Sequence, residues 1–425
     1  MSKIKFLILI LSLGFGLRIA WILWNPAPPA SDFLFMYNAA LHAAAGDFSF
    51  GESPYYTSFP YQFGFTMYEA LIIGLFGNHH LFVLKLLNVL FSTGTALVVY
   101  LFASKAFNET SGRIAMLFYL FYLPNITMCS VLTNQHISVF LFLLGCLLLL
   151  QRGDSAVRWL LAGLALGLGN LMRPIGVVYL AGMLFFFVPV SWRLWRTAFK
   201  RQTAINAAKL AGAIAVYVLV QLSASFLLVS SGIAGQPLSG GDKYWKFMVG
   251  LNAETNGSWN MEDSRYANRY AFGEERHRAE LIKIKERLEN KPELLALMGR
   301  KLTLLWGSPD SSPYWSLQGI NRQDLESLLS KWEQPFYVLM CAFGTVSMIM
   351  LWRSGRQSEA VFGLVVLLLY AAAHLLIEIQ SRYRLDLIPV FILLQSCGAY
   401  HAYIWIREAR LPFGYGQRNG KELGM

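Results

Sequence analysis

The sequence predicts an all-α integral membrane protein of about ten transmembrane helices, and three observations predict it. Of its 425 residues, 55% are hydrophobic and only 14% charged, with a mean hydropathy of +0.43. That is more apolar surface than a soluble fold could cover. Charge-free runs long enough for membrane helices recur along the chain. Lys and Arg gather in short segments between those runs, as they do in cytoplasmic loops.

The first span is expected at 4–24. Lys3 and Lys5 precede an apolar run too long for a signal peptide, and no A-x-A-like cleavage site follows. From Asn25 to Leu81, 57 residues pass without Lys or Arg, although Asp32, Asp47, Glu52 and Glu69 all occur. A loop of this kind lies on the outer face, which places the N-terminus inside. Within it, SDFLFMYNAALHAAA reads as a juxtamembrane helix with Ser31 or Asp32 as N-cap and Gly46 as stop. FGFTMYEALIIGLFG, beginning at Phe63, reads as a second interfacial helix. It is short, it carries Glu69, and counting it as a span would place Lys105 and Arg113 outside.

Further spans are expected near 82–103, 114–131, 136–150, 159–172, 175–190, 209–230, 335–352, 360–377 and 386–406. Arg173-Pro174 divides the run 159–190 into two short spans; a single one would invert every later loop. Ten spans return the C-terminus to the cytoplasm. Segments 1–5, 104–113, 151–158, 191–209, 353–359 and 407–425 then share one face, with 17 Lys and Arg against 5 Asp and Glu. The net charge of +11 is therefore the orientation signal of a multi-pass cell-membrane protein, not a nucleic-acid groove. The long hydrophilic segment 231–334 is balanced, with 14 basic and 14 acidic residues, and reads as helical over 265–305. The organisation is an N-terminal transmembrane module (1–230) carrying the first outer loop (25–81), an extracytoplasmic domain (231–334), and a C-terminal transmembrane module with a basic cytoplasmic tail (335–425).

Polar residues cluster at the outer ends of these spans. They are Asp32, Tyr61-Gln62, Asn134-Gln135-His136, Arg173, and Glu378 with Arg382-Tyr383-Arg384. An arginine at membrane depth costs about 2.5–3.5 kcal/mol on insertion scales and normally has an anionic partner. One carboxylate and several guanidiniums at a lipid–water boundary suit transfer of a sugar from a polyprenyl phosphate. Phosphate leaves without a general acid if cations hold its charge, and a single carboxylate deprotonates the acceptor hydroxyl. One base with direct displacement implies inversion, unlike the paired carboxylates of a retaining enzyme. The four cysteines have no metal spacing, and His79-His80 lacks further ligands. No metal site and no firm cofactor follows, with a divalent cation left open.

The order of these motifs resembles the GT-C-type integral-membrane glycosyltransferases, particularly bacterial members of the protein O-mannosyltransferase and aminoarabinose-transferase group. SDFLFMYNAALHAAAGDF is similar to the family's first-loop acidic motif and juxtamembrane helix. FPYQFGFTMYEALIIGLFGNHHLFVLKLLNVLF resembles its second juxtamembrane helix and the following span. LTNQHISVFLFLLG stands in the place of its second outer polar motif, LGNLMRPIGVVYL resembles its Arg-Pro turn, and IEIQSRYRLDLIPVFILL an E…RYR…P motif. The resemblance implies Asp32 as catalytic base and Arg173, Arg382 and Arg384 near the donor phosphate, and Tyr61, Gln62 and Tyr383, from their place in the same clusters, are further candidates for donor binding. The chain departs from the family in having Phe33 where many members have a second acidic residue, and Asn134-Gln135-His136 where many have Asp or Glu. The implied partners are a polyprenyl-phosphate sugar, membrane lipid, and a glycan, lipid or protein acceptor. A lipid-linked glycan flippase would also want cations at headgroup depth, but no repeat symmetry is visible. A glycan polymerase or ligase would share the donor.

Overall fold

The computed structural model describes residues 1–151, 155–196, 200–354 and 359–409. The tail from residue 410, and parts of the basic segments 151–158, 191–209 and 353–359, lie outside the described residues. Among the described residues every regular element is helical. In chain order the α-helices begin with α1 (Lys3–Trp24), α2 (Asp32–Ala44), the short α3 (Pro54–Ser58), α4 (Phe63–Phe76), α5 (His80–Ala106) and α6 (Glu109–Phe121). The short α7 (Leu123–Thr127), α8 (Gln135–Leu150), α9 (Ala156–Met172), α10 (Gly176–Arg196) and α11 (Lys200–Ser230) follow. The hydrophilic segment supplies α12 (Trp245–Gly250), α13 (Met261–Ala267), α14 (Glu274–Glu289), α15 (Lys291–Leu302) and α16 (Ser312–Leu317). Finally come α17 (Gln323–Ser354), α18 (Glu359–Leu376) and α19 (Ile388–Ala409).

Helix covers most or all of every expected span, and α9 and α10 are separate helices divided at Arg173-Pro174. Among the described residues, four stretches are long and apolar enough to cross a membrane: Lys3–Trp24, Pro60–Ala106, Thr203–Ser230 and Gln323–Arg353. Shorter apolar helices run over Gln135–Leu150, Ala156–Met172, Gly176–Phe187 and Ala360–Leu376.

One expectation needs correction. The segment 114–131 is not one helix, because α6 stops at Phe121. Pro124 has no N–H for the Leu120 carbonyl, and Arg18, wholly buried in α1, takes its place. Arg18 Nη1 donates to Leu120 O at 3.1 Å, Nη2 to Tyr119 O at 3.4 Å and Nε to Ser92 Oγ at 2.9 Å. A charge in the first span thus serves freed carbonyls rather than an anion. The expected domain border at 334/335 falls inside α17, where Pro335 is tolerated. Asp324 and Glu326 occupy the first turn of that helix, where acids suit its N-terminus. Hydrophilic turns therefore prolong the apolar helix instead of ending it.

The main core is one apolar cluster built chiefly from α5, α6, α8, α9, α10, α18 and α19. Helix α2 lies on α4 through small residues, with Ala40 and Ala43 against Ala70 and Ile73. Helix α4 in turn approaches α9 so closely that a Cβ on Gly64 would stand 1.9 Å from the Leu171 carbonyl oxygen. Backbone cannot yield as a side-chain tip can. Gly64→Ala is expected to lose about 1–3 kcal/mol, read as a lowered thermal midpoint in detergent; an unchanged midpoint would show that the two helices part freely.

Helix α14 buries Glu280 completely. Burial first, and then neighbouring Asp242, push its pKa up to about 9, with Arg276 Nη1 3.8 Å from Asp242. A carboxyl raised in the folded state contributes stability that is full below its unfolded pKa of about 4.3 and is lost as pH rises through about 9. Glu280→Gln has no such proton to lose. Its stability is expected to overtake the native chain's at pH 8 by on the order of 3 kcal/mol relative to pH 4. Thermal melts at the two pH values check this.

Candidate active site

Asp32 is the first residue of α2. Ser31 adopts φ 53° and turns the chain into the helix with its carbonyl accepting from Leu34 N at 3.0 Å. Neither Ser31 nor Asp32 caps a backbone N–H with its side chain. The Asp32 carboxylate instead stands at the positive end of the helix dipole. It is half exposed and 3.6 Å from Arg382 Nη2, a residue 350 positions along the chain.

Arg382 belongs to the 3-10 turn Ser381–Asp386 between α18 and α19. Its Nε donates to Gln380 Oε1 at 2.6 Å. Its guanidinium lies 4.3 Å from the Trp315 ring centroid, 4.8 Å from Phe33 and 5.9 Å from Tyr383. Gln380 Nε2 donates to Glu378 at 2.9 Å, and Lys246 of α12 donates to the other oxygen of Glu378. Burial opposes the charge on Glu378, yet Lys246 and Gln380 hold its pKa below the usual carboxylate range.

Arg173 ends α9 in extended conformation, φ −148° and ψ 122°, as the residue before a proline prefers. Its Nε and Nη2 reach Asp386 Oδ2 at 2.9 and 2.7 Å, and Nη1 donates to Asn134 Oδ1 at 3.2 Å. The Tyr383 ring covers it at 5.2 Å. Gln135 Nε2 donates both to Asp386 Oδ1 at 2.9 Å and to the Arg382 carbonyl at 3.0 Å. Asn134 and Gln135 thus brace the arginines from behind. His136 is buried, with Nε2 making no hydrogen bond.

Tyr61 and Gln62 form the 3-10 turn that opens α4. Lys246, Tyr383, Glu378 and Asp32 are the charged and phenolic neighbours of Tyr61. Gln62 is one contact removed, donating to Tyr55 Oη at 3.3 Å. Burial pushes the Tyr55 phenol up, with Asp32 the foremost charged contributor.

The structure therefore gathers Asp32, Tyr61, Arg173, Arg382 and Tyr383, with Gln62 at the margin. Arg384 departs from the expected grouping. It is fully buried, donates to Ser308 O at 2.9 Å and Asp310 Oδ2 at 3.1 Å, and lies 4.3 Å from the Tyr337 ring. Alternate residues of a tight turn point apart, so Arg384 faces the core where Arg382 faces Asp32. A divalent cation does not suit this donor set. Asp386 and Glu378 are already matched by Arg173 and Lys246, leaving Asp32 as one carboxylate where such ions want several oxygens. Among the described residues no group of three or more His, Cys, Asp or Glu is gathered.

The profile of the dolichyl-phosphate-mannose-protein mannosyltransferases matches residues 64–223, from the start of α4 into α11. The archaeal oligosaccharyltransferase AglB from Archaeoglobus fulgidus, solved with an inhibitory peptide and a dolichol-phosphate, superposes at a TM-score of 0.52 and 14% identity. That match covers 96% of this chain and 52% of the other. The fold is that of the GT-C-type membrane glycosyltransferases.

A second structure of the A. fulgidus enzyme, tethered with an acceptor peptide containing the NVT sequon, gives a TM-score of 0.53 at 15% identity over 96% and 51% of the two chains. ArnT from Cupriavidus metallidurans bound to undecaprenyl phosphate matches at 0.38 and 12% over 96% and 81%. This chain spans about half the length of the archaeal enzyme. The search of curated proteins returned no match. Within this GT-C fold, sequence reasoning missed Lys246, Gln380 and Trp315 as parts of the site. Lys246 and Trp315 lie in a charge-balanced loop segment where no periodicity marks them.

Proposed function

We propose that the chain is a glycosyltransferase that moves a sugar from a polyprenyl-phosphate donor to an acceptor hydroxyl at the extracytoplasmic face, with inversion. The observation that carries the reading is Asp32, a half-exposed carboxylate facing an arginine that has N–H groups to spare. The acceptor's proton passes to an Asp32 oxygen as its own oxygen attacks the anomeric carbon. The bond from that carbon to the phosphate oxygen breaks, and the polyprenyl phosphate leaves with the electron pair. Arg382 and Lys246, with Arg173 and the Tyr61 and Tyr383 phenols behind them, stabilise the phosphate charge. Asp386 and Glu378 are held in ion pairs, so among the described residues of the site no second carboxylate stands ready to form a covalent intermediate, which supports single displacement.

The test uses the purified chain in detergent with a polyprenyl-phosphate-linked hexose or pentose and an acceptor-containing envelope extract. Acceptor-dependent release of polyprenyl phosphate, with the anomeric configuration inverted in the product, is expected. Movement of intact donor across reconstituted vesicles without release would overturn the reading in favour of a flippase.

A further inference from the structure

Three ion pairs belong to this site, and they differ in kind. The side chains of Asp386 and Glu378 are 0% and 3% exposed and sit within hydrogen-bond reach of Arg173 and Lys246. Asp32 is 47% exposed and 3.6 Å from its arginine, beyond the length of a charge-assisted hydrogen bond. The six groups sum to zero charge, so an incoming phosphate needs one cation to change partners. Of the two arginines, Arg382 is the freer to do so. Only its Nε is spent, on Gln380, whereas all three nitrogens of Arg173 are engaged.

What keeps Arg382 in place is aromatic. Trp315 of α16 covers the guanidinium at 4.3 Å and meets Phe33, the neighbour of Asp32, edge-on at 5.6 Å. A ring face holds a guanidinium without consuming its N–H groups. We propose that Trp315 is a positioning residue that holds Arg382 where it exchanges Asp32 for the donor phosphate, so that donor binding releases the base. While the pair stands, the carboxylate is held 3.6 Å from the guanidinium. Once the phosphate takes the guanidinium, the carboxylate is free for the acceptor's proton. The inference rests on the reading of Asp32 as base.

The test is the pH dependence of transfer by the full-length chain, with a polyprenyl-phosphate sugar as probe. In the native protein the acidic limb of kcat, which reports donor-bound enzyme, is expected to lie above that of kcat/KM for the donor. Trp315→Ala is expected to lower kcat at least about tenfold and to collapse that separation, and Trp315→Phe, which keeps a ring face, to restore most of both. Coincident limbs in the native protein, a measurement that needs no variant to fold, would overturn the coupling. A Trp315→Ala protein whose activity falls only with its folded fraction, limbs still separate, would overturn the positioning role. An inactive Asp32→Asn beside such a Trp315→Ala protein leaves the base assignment standing; a fully active Asp32→Asn removes both.

Discussion

Asp32→Asn is expected to abolish most sugar transfer, lowering kcat by about 10²- to 10⁴-fold, the usual contribution of a positioned general base. The substitution is close to isosteric, and the side chain it changes caps no backbone N–H. Its partner is a single arginine at 3.6 Å. Folding is therefore expected to shift by no more than about 0.5 kcal/mol, as for surface positions away from buried networks. Donor binding should persist, because Arg382 loses a competitor rather than a support. The diagnostic pattern is a variant with native thermal midpoint, native donor affinity and lost transfer. Transfer within threefold of the native rate would show that the proton goes elsewhere.

Much of the fold was legible because a membrane chain displays its spans and its orientation in composition. Helices appear where apolar runs were read. The breaks were harder. The end of α6 at Phe121 depends on Pro124 together with Arg18, more than 100 positions earlier, which no local pattern connects. At the site, Asp32, Arg173 and Arg382 stood out because charge is rare beside spans. Their pairing did not. Arg173 and Arg384 look equivalent to Arg382 in sequence, yet each is matched by a buried acid, Asp386 or Asp310. Lys246 comes from a segment in which charges of both signs alternate, so only the closing of α12 onto Glu378 distinguishes it from its neighbours.

Removing Asp386 is expected to have the largest effect on stability. Its fully buried carboxylate accepts from Arg173 Nε at 2.9 Å and Nη2 at 2.7 Å, Gln135 Nε2 at 2.9 Å and Tyr370 Oη at 2.9 Å. Asp386→Ala strands the Arg173 guanidinium, whose side chain is only 17% exposed, and leaves Gln135 Nε2 and Tyr370 Oη with only the Arg382 and Tyr383 carbonyls as acceptors. Breaking one side of a buried pair costs about 3–5 kcal/mol, enough to lower the thermal midpoint by many degrees in a protein of marginal stability. Replacing both partners, Arg173→Met with Asp386→Leu, removes the uncompensated charge and is expected to recover most of that loss. Recovery of stability without recovery of transfer would assign Arg173 a part in holding the donor phosphate. Recovery of both would make the pair a strut, whose contribution is to fix Gln135 and, through the Arg382 carbonyl it holds at 3.0 Å, the turn that faces Asp32.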